Sequence, residues 1–324
     1  MDQKKSEIEM ANKGHKDIPG NPSTATTSKI KLNDRFNGKD LRVLTEKDWE
    51  FWKHNGYIVV KNAVPKIQAS ATADFLWEFE EKDPRNPDTW YTVPRAEMKM
   101  KELAGTGMVE VYNHQHLWNN RQTQKVYDAF VDVWGTEKLW VTIDRANLNF
   151  PVRKGFEQKG FIHWDYDPET QPQNVQGVLA LADQMDENMG GFQCIPWLYR
   201  NYESWKLSQP MDRDRFQPNT SGLEDKIVKV TMEAGDLLIF NSTEPHGIRP
   251  NLSKDKVRIA QYISMMPAEN DNESLRQWRV DSWKHRIAPE GYAFPGDPRD
   301  WERTKYETAK LSPLGEKLLG LKNW

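Results

Sequence analysis

Two periodicities divide the chain. Between residues 45 and 81 apolar side chains recur at helical spacing, and from about residue 108 onward short apolar runs alternate with polar residues at a period of two. Thr45 followed by Asp48 is a capping signal, with Trp49 and Trp52 behind it. A short strand is predicted at 56–60, and a helix over 67–81 with Ala71, Phe75 and Phe79 four apart on its apolar side. Three prolines within 84–94 mark a loop. Residues 108–116 alternate and read as β, a helix follows near 123–134, and 139–150 is β-like again. Further strands are expected at 160–165, 175–182, 227–232, 237–241 and 257–265. Ala234, Gly235 and Asp236 supply a turn that would join 227–232 to 237–241 as a hairpin. Short strands with turn-rich connections predict a mainly β protein with flanking helices, of the jelly-roll or cupin-like barrel type.

The pattern fades at both ends. Residues 1–35 are polar and cannot bury enough surface to offset ordering, so they are expected to form a flexible N-terminal tail. Residues 36–324 are then one domain, with the barrel core at about 108–268 and a charged, Trp-rich stretch at 269–324 wrapping it. A formal net charge of −3 argues against nucleic-acid and anionic-membrane partners. No run is long and apolar enough to span a bilayer or to serve as a signal peptide. Cys194 is the only cysteine, which excludes an intrachain disulfide and fits a cytoplasmic setting. Composition leaves monomer and homodimer open.

Within the β region, His163 and Asp165 flank Trp164. In a strand, residues two apart share a face, so both could reach one ion while Trp164 points away. His246, in Pro245-His246-Gly247, is the candidate third ligand. Two imidazoles and one carboxylate that leave coordination positions open suit Fe(II), where dioxygen and an organic co-substrate must both bind. Arg258 shares a strand face with Ala260 and Tyr262, opposite Val257, Ile259 and Ile263. A buried guanidinium needs an anion, either a bound carboxylate or an internal acid. Arg249 lies nearer His246 and is a candidate for substrate contact. Asn149, in line with Asn147 and Arg145, and Gln176 are candidates to touch a co-substrate or to pair with a neighbouring strand. His114 and His116 form a second pair at strand spacing: a rival metal site, part of a substrate pocket with Tyr112, or ordinary hydrogen-bonded histidines.

These residues together resemble the phytanoyl-CoA dioxygenase family of Fe(II)/2-oxoglutarate-dependent oxygenases. The resemblance runs from about 140 to 266, with a looser echo at 46–60. It includes Gly190-Gly191, Ile195-Pro196, Gly235-Asp236 and Asn251, together with the spacing from His246 to Arg258. It implies a double-stranded β-helix, His163, Asp165 and His246 as iron ligands, and Arg258 on the distal carboxylate of 2-oxoglutarate. Dioxygen would be consumed, a small molecule oxidised, most simply by hydroxylation, and succinate and CO2 released. Asp165 separates the chain from related halogenases, which leave that ligand position empty. Two positions depart from the pattern. Pro196-Trp197-Leu198-Tyr199 replaces Pro-Gly-Ser-His, and Ile248 stands where Ser or Thr is common. The first gives the alternative reading its support, a catalytically inactive barrel that binds a ligand or partner.

Overall fold

The computed structural model describes residues 32–33, 40–91, 107–155, 157, 159–165, 167–169, 174–289, 294 and 296–324. The expected tail lies outside these apart from Leu32 and Asn33, as do residues 92–94 of the proline-rich loop.

The first helix among the described residues, α1 (Glu46–Asn55), opens on the capping box that the sequence announces: Thr45 accepts from the Asp48 amide, and Asp48 accepts from the Thr45 amide. Gly56 ends it in the left-handed region and releases the chain into β1 (Tyr57–Val60). Helix α2 (Lys66–Phe79) buries Phe75, Leu76 and Phe79. Then β2 (Met108–Val109) is much shorter than the alternation predicts. Beyond it, the Tyr112 and Asn113 amides donate to Glu302 rather than to a neighbouring strand. The chain turns at His114, which caps α3 (Gln115–Arg121).

Helix α4 (Gln124–Trp134) is followed by β3 (Leu139–Val141), β4 (Ala146–Asn149), β5 (Val175–Ala180) and β6 (Met189–Cys194). Next come α5 (Pro196–Leu207), β7 (Val228–Lys229), β8 (Leu237–Asn241), β9 (His246–Asn251), β10 (Arg258–Tyr262) and β11 (Met265–Pro267). Helices α6 (Glu273–His285), α7 (Trp301–Lys305) and α8 (Pro313–Leu319) complete the chain. The major sheet runs β1-β8-β5-β10-β4-β2 and the minor sheet β7-β6-β9, both antiparallel, with β11-β3 as a separate pair.

Strand β8 shows why helices cover one side. Leu237 and Ile239 face the larger core shared with the helices, while Leu238 and Phe240 face Phe192, Val230 and Met232 between the sheets. A strand buried on both faces needs a layer on each. From the C-terminal part, Arg279 on α6 donates to the Leu318 and Leu319 carbonyls, and Trp324 to Leu139 of β3. This is the double-stranded β-helix arrangement: two antiparallel sheets face to face with helices outside.

Three local expectations are corrected. The 227–232 and 237–241 segments form no hairpin, because β7 joins the minor sheet and β8 the major one; Gly235 turns the chain between sheets. Residues 160–165 are an extended segment rather than a full strand, held by the His163–His246 bridge and by the Phe161 and Trp164 amides donating to the Ile248 and Phe216 carbonyls. Strands β6 and β9 were not expected, since their glycines and polar residues hide the alternation. None of the described helices is long and apolar enough to cross a membrane.

Candidate metal centre

His163 and Asp165 are aimed inward by the residue between them. Trp164 is buried on the opposite side, where its indole donates to the Thr243 carbonyl and packs edge-on against Tyr202 and Trp205 of α5. Across the cavity, His246 begins β9. The two histidines exchange both backbone hydrogen bonds, His163 N–H to His246 O at 2.7 Å and the reverse at 3.0 Å. This narrow antiparallel pair fixes the separation of the two imidazoles. His246 Nδ1 lies 2.9 Å from the Glu244 carbonyl, which leaves Nε2 for the cavity.

The donor atoms converge. His163 Nε2 is 3.2 Å from Asp165 Oδ1, and His246 Nε2 is 3.3 Å from Asp165 Oδ2. All three lie within 4.8 Å of one another, and they are the only such group among the described residues. Ligand atoms about 2.1 Å from one ion, at right angles to each other, are roughly 3 Å apart, so the spacing fits. Burial pushes the Asp165 carboxyl up, but the imidazoles beside it outweigh burial and hold it well below the usual carboxylate range. Gln176 donates its amide to Asp165 Oδ2 and so orients the carboxylate. Phe192 and Phe240 pack on the His246 ring and Phe161 on His163, which limits water.

Gly247 is required by close approach. A methyl group there would lie 1.8 Å from the Phe161 carbonyl oxygen. Gly247→Ala is therefore expected to pry apart the backbone pair that joins the histidines, costing about 1–3 kcal/mol of stability and weakening metal binding. Thermal melts and a metal titration check this, and unchanged metal affinity would sink the idea.

The cavity holding the triad encloses about 360 Å³. Arg258 opens into it, only 2 % exposed. Its donors reach just two neutral amide oxygens, of Gln184 and Asn147, both at 3.3 Å. No carboxylate among the described residues pairs with it. Burial, followed by the neighbouring Arg258 guanidinium, pushes Arg249 down to about 10. The open donor fork of Arg258 fits one carboxylate of a dicarboxylate such as 2-oxoglutarate.

The other predicted site residues divide. Gln176 and Arg145 line the cavity, whereas Asn149 does not; its neighbour Asn147 takes that place. Asn149 instead packs its side chain toward Gly190 and accepts from Asn251 through its backbone. Tyr112, His114, His116 and Arg249 lie outside the lining of this cavity. Tyr112 points into a separate cavity of about 200 Å³, donating to Glu110. The turn at His114 breaks strand spacing, and its ring stacks on Phe75 at 3.7 Å beside His116. Arg249 spends its donors on the Glu187, Gly190 and Phe192 carbonyls. Tyr262 lines the metal cavity beside Arg258 as its strand face implies, and Asp144, Phe161 and Ser264, which were not singled out from sequence, line it too.

The phytanoyl-CoA dioxygenase (PhyH) family model matches residues 52–260, more than half of the 324-residue chain, and that span contains the triad and Arg258. The chain belongs to the phytanoyl-CoA dioxygenase family. Membership in that family, with the triad, makes the protein an oxygenase of the iron/2-oxoglutarate type, with iron and 2-oxoglutarate as its cofactors. Ava biosynthesis cluster protein O of Aspergillus versicolor is 25 % identical over 293 residues, covering 82 % of this chain and 91 % of that one. Among solved structures, GlcNAc Inducible Gene 2 of Candida albicans is similar with a TM-score of 0.63 and 14 % identity, covering 88 % of this chain and 78 % of that one. An oxidoreductase from Salmonella typhimurium LT2 gives a TM-score of 0.62 and 16 % identity, over 86 % and 83 %. Both structures share the fold.

Proposed function

We propose that the protein is an Fe(II)/2-oxoglutarate-dependent dioxygenase that hydroxylates a small-molecule metabolite. The observation that carries this reading is Arg258, a buried cation with no carboxylate partner among the described residues, opening into the same cavity as His163, Asp165 and His246. When bound, iron with 2-oxoglutarate and dioxygen supplies oxidation of a C–H bond, with release of succinate and CO2.

The chain supplies position and dryness. His163, Asp165 and His246 hold one face of the ion, and Gln176 steadies Asp165. Arg258, oriented by Asn147 and Gln184, takes the distal carboxylate of the co-substrate. Ile248 lines the cavity where a hydroxyl would add a further hydrogen bond, so the hold on that carboxylate rests more heavily on Arg258. Phe161, Phe192 and Phe240 exclude water from the ion. The unusual 196–199 segment is the first turn of α5, with Pro196 at its start, and lies outside the lining of the metal cavity. It therefore gives little support to an inactive barrel. Similarity to a biosynthesis-cluster protein supports a metabolite as substrate.

Under anaerobic conditions, Fe(II) and 2-oxoglutarate together are expected to give a weak visible charge-transfer band that neither gives alone. Admission of oxygen should then release succinate. A native protein that forms no band and no succinate is not this enzyme.

A further inference from the structure

Besides Arg258, the metal cavity is lined by a second set of charged side chains. Asp144 and Arg145 stand where the chain enters β4, and both line the cavity. Arg145 has a partner in place: its Nη1 lies 3.0 Å from Glu110 Oε1 and 3.1 Å from Tyr112 Oη, and its guanidinium carbon lies 4.5 Å from the centre of the Phe294 ring. Arg121 directs its donors to the backbone oxygens of Tyr112 and Asp144. Neither guanidinium makes a side-chain pair with Asp144.

The Asp144 carboxylate is half used. Oδ1 accepts from the Arg145 amide at 2.8 Å. Among the described residues no donor reaches Oδ2, and the part-exposed Asp144 lines the cavity shared with the triad. Burial pushes the Asp144 carboxyl up, and Asp165 adds to the push, against the opposing pull of Arg145 and Arg121. Asp144 is part-exposed to the cavity, and a cationic N–H placed at Oδ2 would make a charge-assisted hydrogen bond, about twice as strong as one from a neutral donor. The neighbouring lining is Met108, Phe161, Tyr262 and Ser264, apolar and aromatic surface with two hydroxyls. Such walls suit the carbon frame of an organic cation and its attraction to a ring face. A neutral hydroxyl could also donate to Oδ2, but only a cation adds opposite charge to the hydrogen bond. An anionic group would meet repulsion from both Asp144 and Asp165.

We propose that Asp144 anchors the substrate through a protonated nitrogen, so that the enzyme acts on amine- or guanidine-bearing metabolites. This assignment rests on the reading of the cavity as the oxygenase active site.

The test uses small probes matched in shape and different in charge: 2-phenylethylamine and benzylguanidine as cations, 2-phenylethanol as the neutral member, and phenylacetate as the anion. Each is titrated anaerobically into the full-length protein loaded with Fe(II) and 2-oxoglutarate, with ligand-detected NMR and calorimetry as readouts. The cations are expected to bind at least tenfold more tightly than the alcohol, with the anion weakest. Asp144→Asn should erase the preference, and Asp144→Glu should restore part of it. The Fe(II)/2-oxoglutarate band, recorded on the same samples, shows whether each variant keeps an intact centre. Equal binding of cation and alcohol, no binding by any probe, or a preference that survives Asp144→Asn overturns the assignment. A native protein that prefers cations but forms no band would instead sink the oxygenase reading and leave Asp144 as an amine site.

Discussion

In a His246→Ala variant, succinate formation is expected to fall at least about a thousandfold, equivalent to roughly 4 kcal/mol of activation free energy. The charge-transfer band should disappear with it. The imidazole is one of three donors that converge within 4.8 Å, and the two that remain, His163 and Asp165, come from one short segment. Two ligands from one side do not enclose a face of the ion. Alanine keeps the backbone, so the paired hydrogen bonds between residues 163 and 246 survive. The loss should therefore come without unfolding, and circular dichroism and the melting temperature should stay close to native. Asp165→Ala should act through a different term. It removes the only negative charge of the donor set, so divalent metal should be lost even though both imidazoles stay in place. A His246→Ala protein that retains an unchanged band would show that His246 is not a ligand.

Much of this centre was legible because its signals are local. The Thr45–Asp48 box fixes the start of α1 within four residues, and the alternation in β10 places Arg258, Ala260 and Tyr262 on the inner face. His163 and Asp165 share a face for the same period-two reason, although the segment is extended backbone held by a few separate hydrogen bonds rather than a full strand.

What stayed hidden depends on distant partners. Strand β6 contains Gly190 and Gly191 at positive φ, and its carbonyls are gathered by Arg249 from β9; neither strand carries an apolar alternation that could announce it. Residues 108–116 alternate well, yet Glu302, almost two hundred positions later, accepts the amides that would have continued the strand. Side-chain competition of this kind is invisible to periodicity. Helix α5 did carry a usable sign, a proline at its first position. Asp144 falls inside the β-like run 139–150 with nothing to mark it, and only the fold shows that it lines the cavity while Arg145 turns to Glu110.

For Arg258→Gln, the KM for 2-oxoglutarate is expected to rise about a hundredfold, which corresponds to roughly 2.8 kcal/mol. Hydrogen bonds to charged groups contribute about 1.5–3 kcal/mol each, so losing a charged fork reaches this size without structural collapse. The present partners of Arg258 are amide oxygens of Asn147 and Gln184. A glutamine amide can satisfy one of them, and the cavity wall should persist. The distal carboxylate is far from the bond that reacts, and its contact is equally strong before and during reaction. Its loss should therefore appear in KM while kcat at saturating 2-oxoglutarate changes little. Arg258→Lys should fall between, since the charge stays but the bidentate geometry goes. Iron affinity without 2-oxoglutarate should not change in either variant. Titration of the anaerobic band with 2-oxoglutarate separates these effects. An unaltered midpoint in Arg258→Gln would mean that another cation holds the carboxylate, and Arg249, whose guanidinium is pushed down partly by Arg258, would be the next to replace.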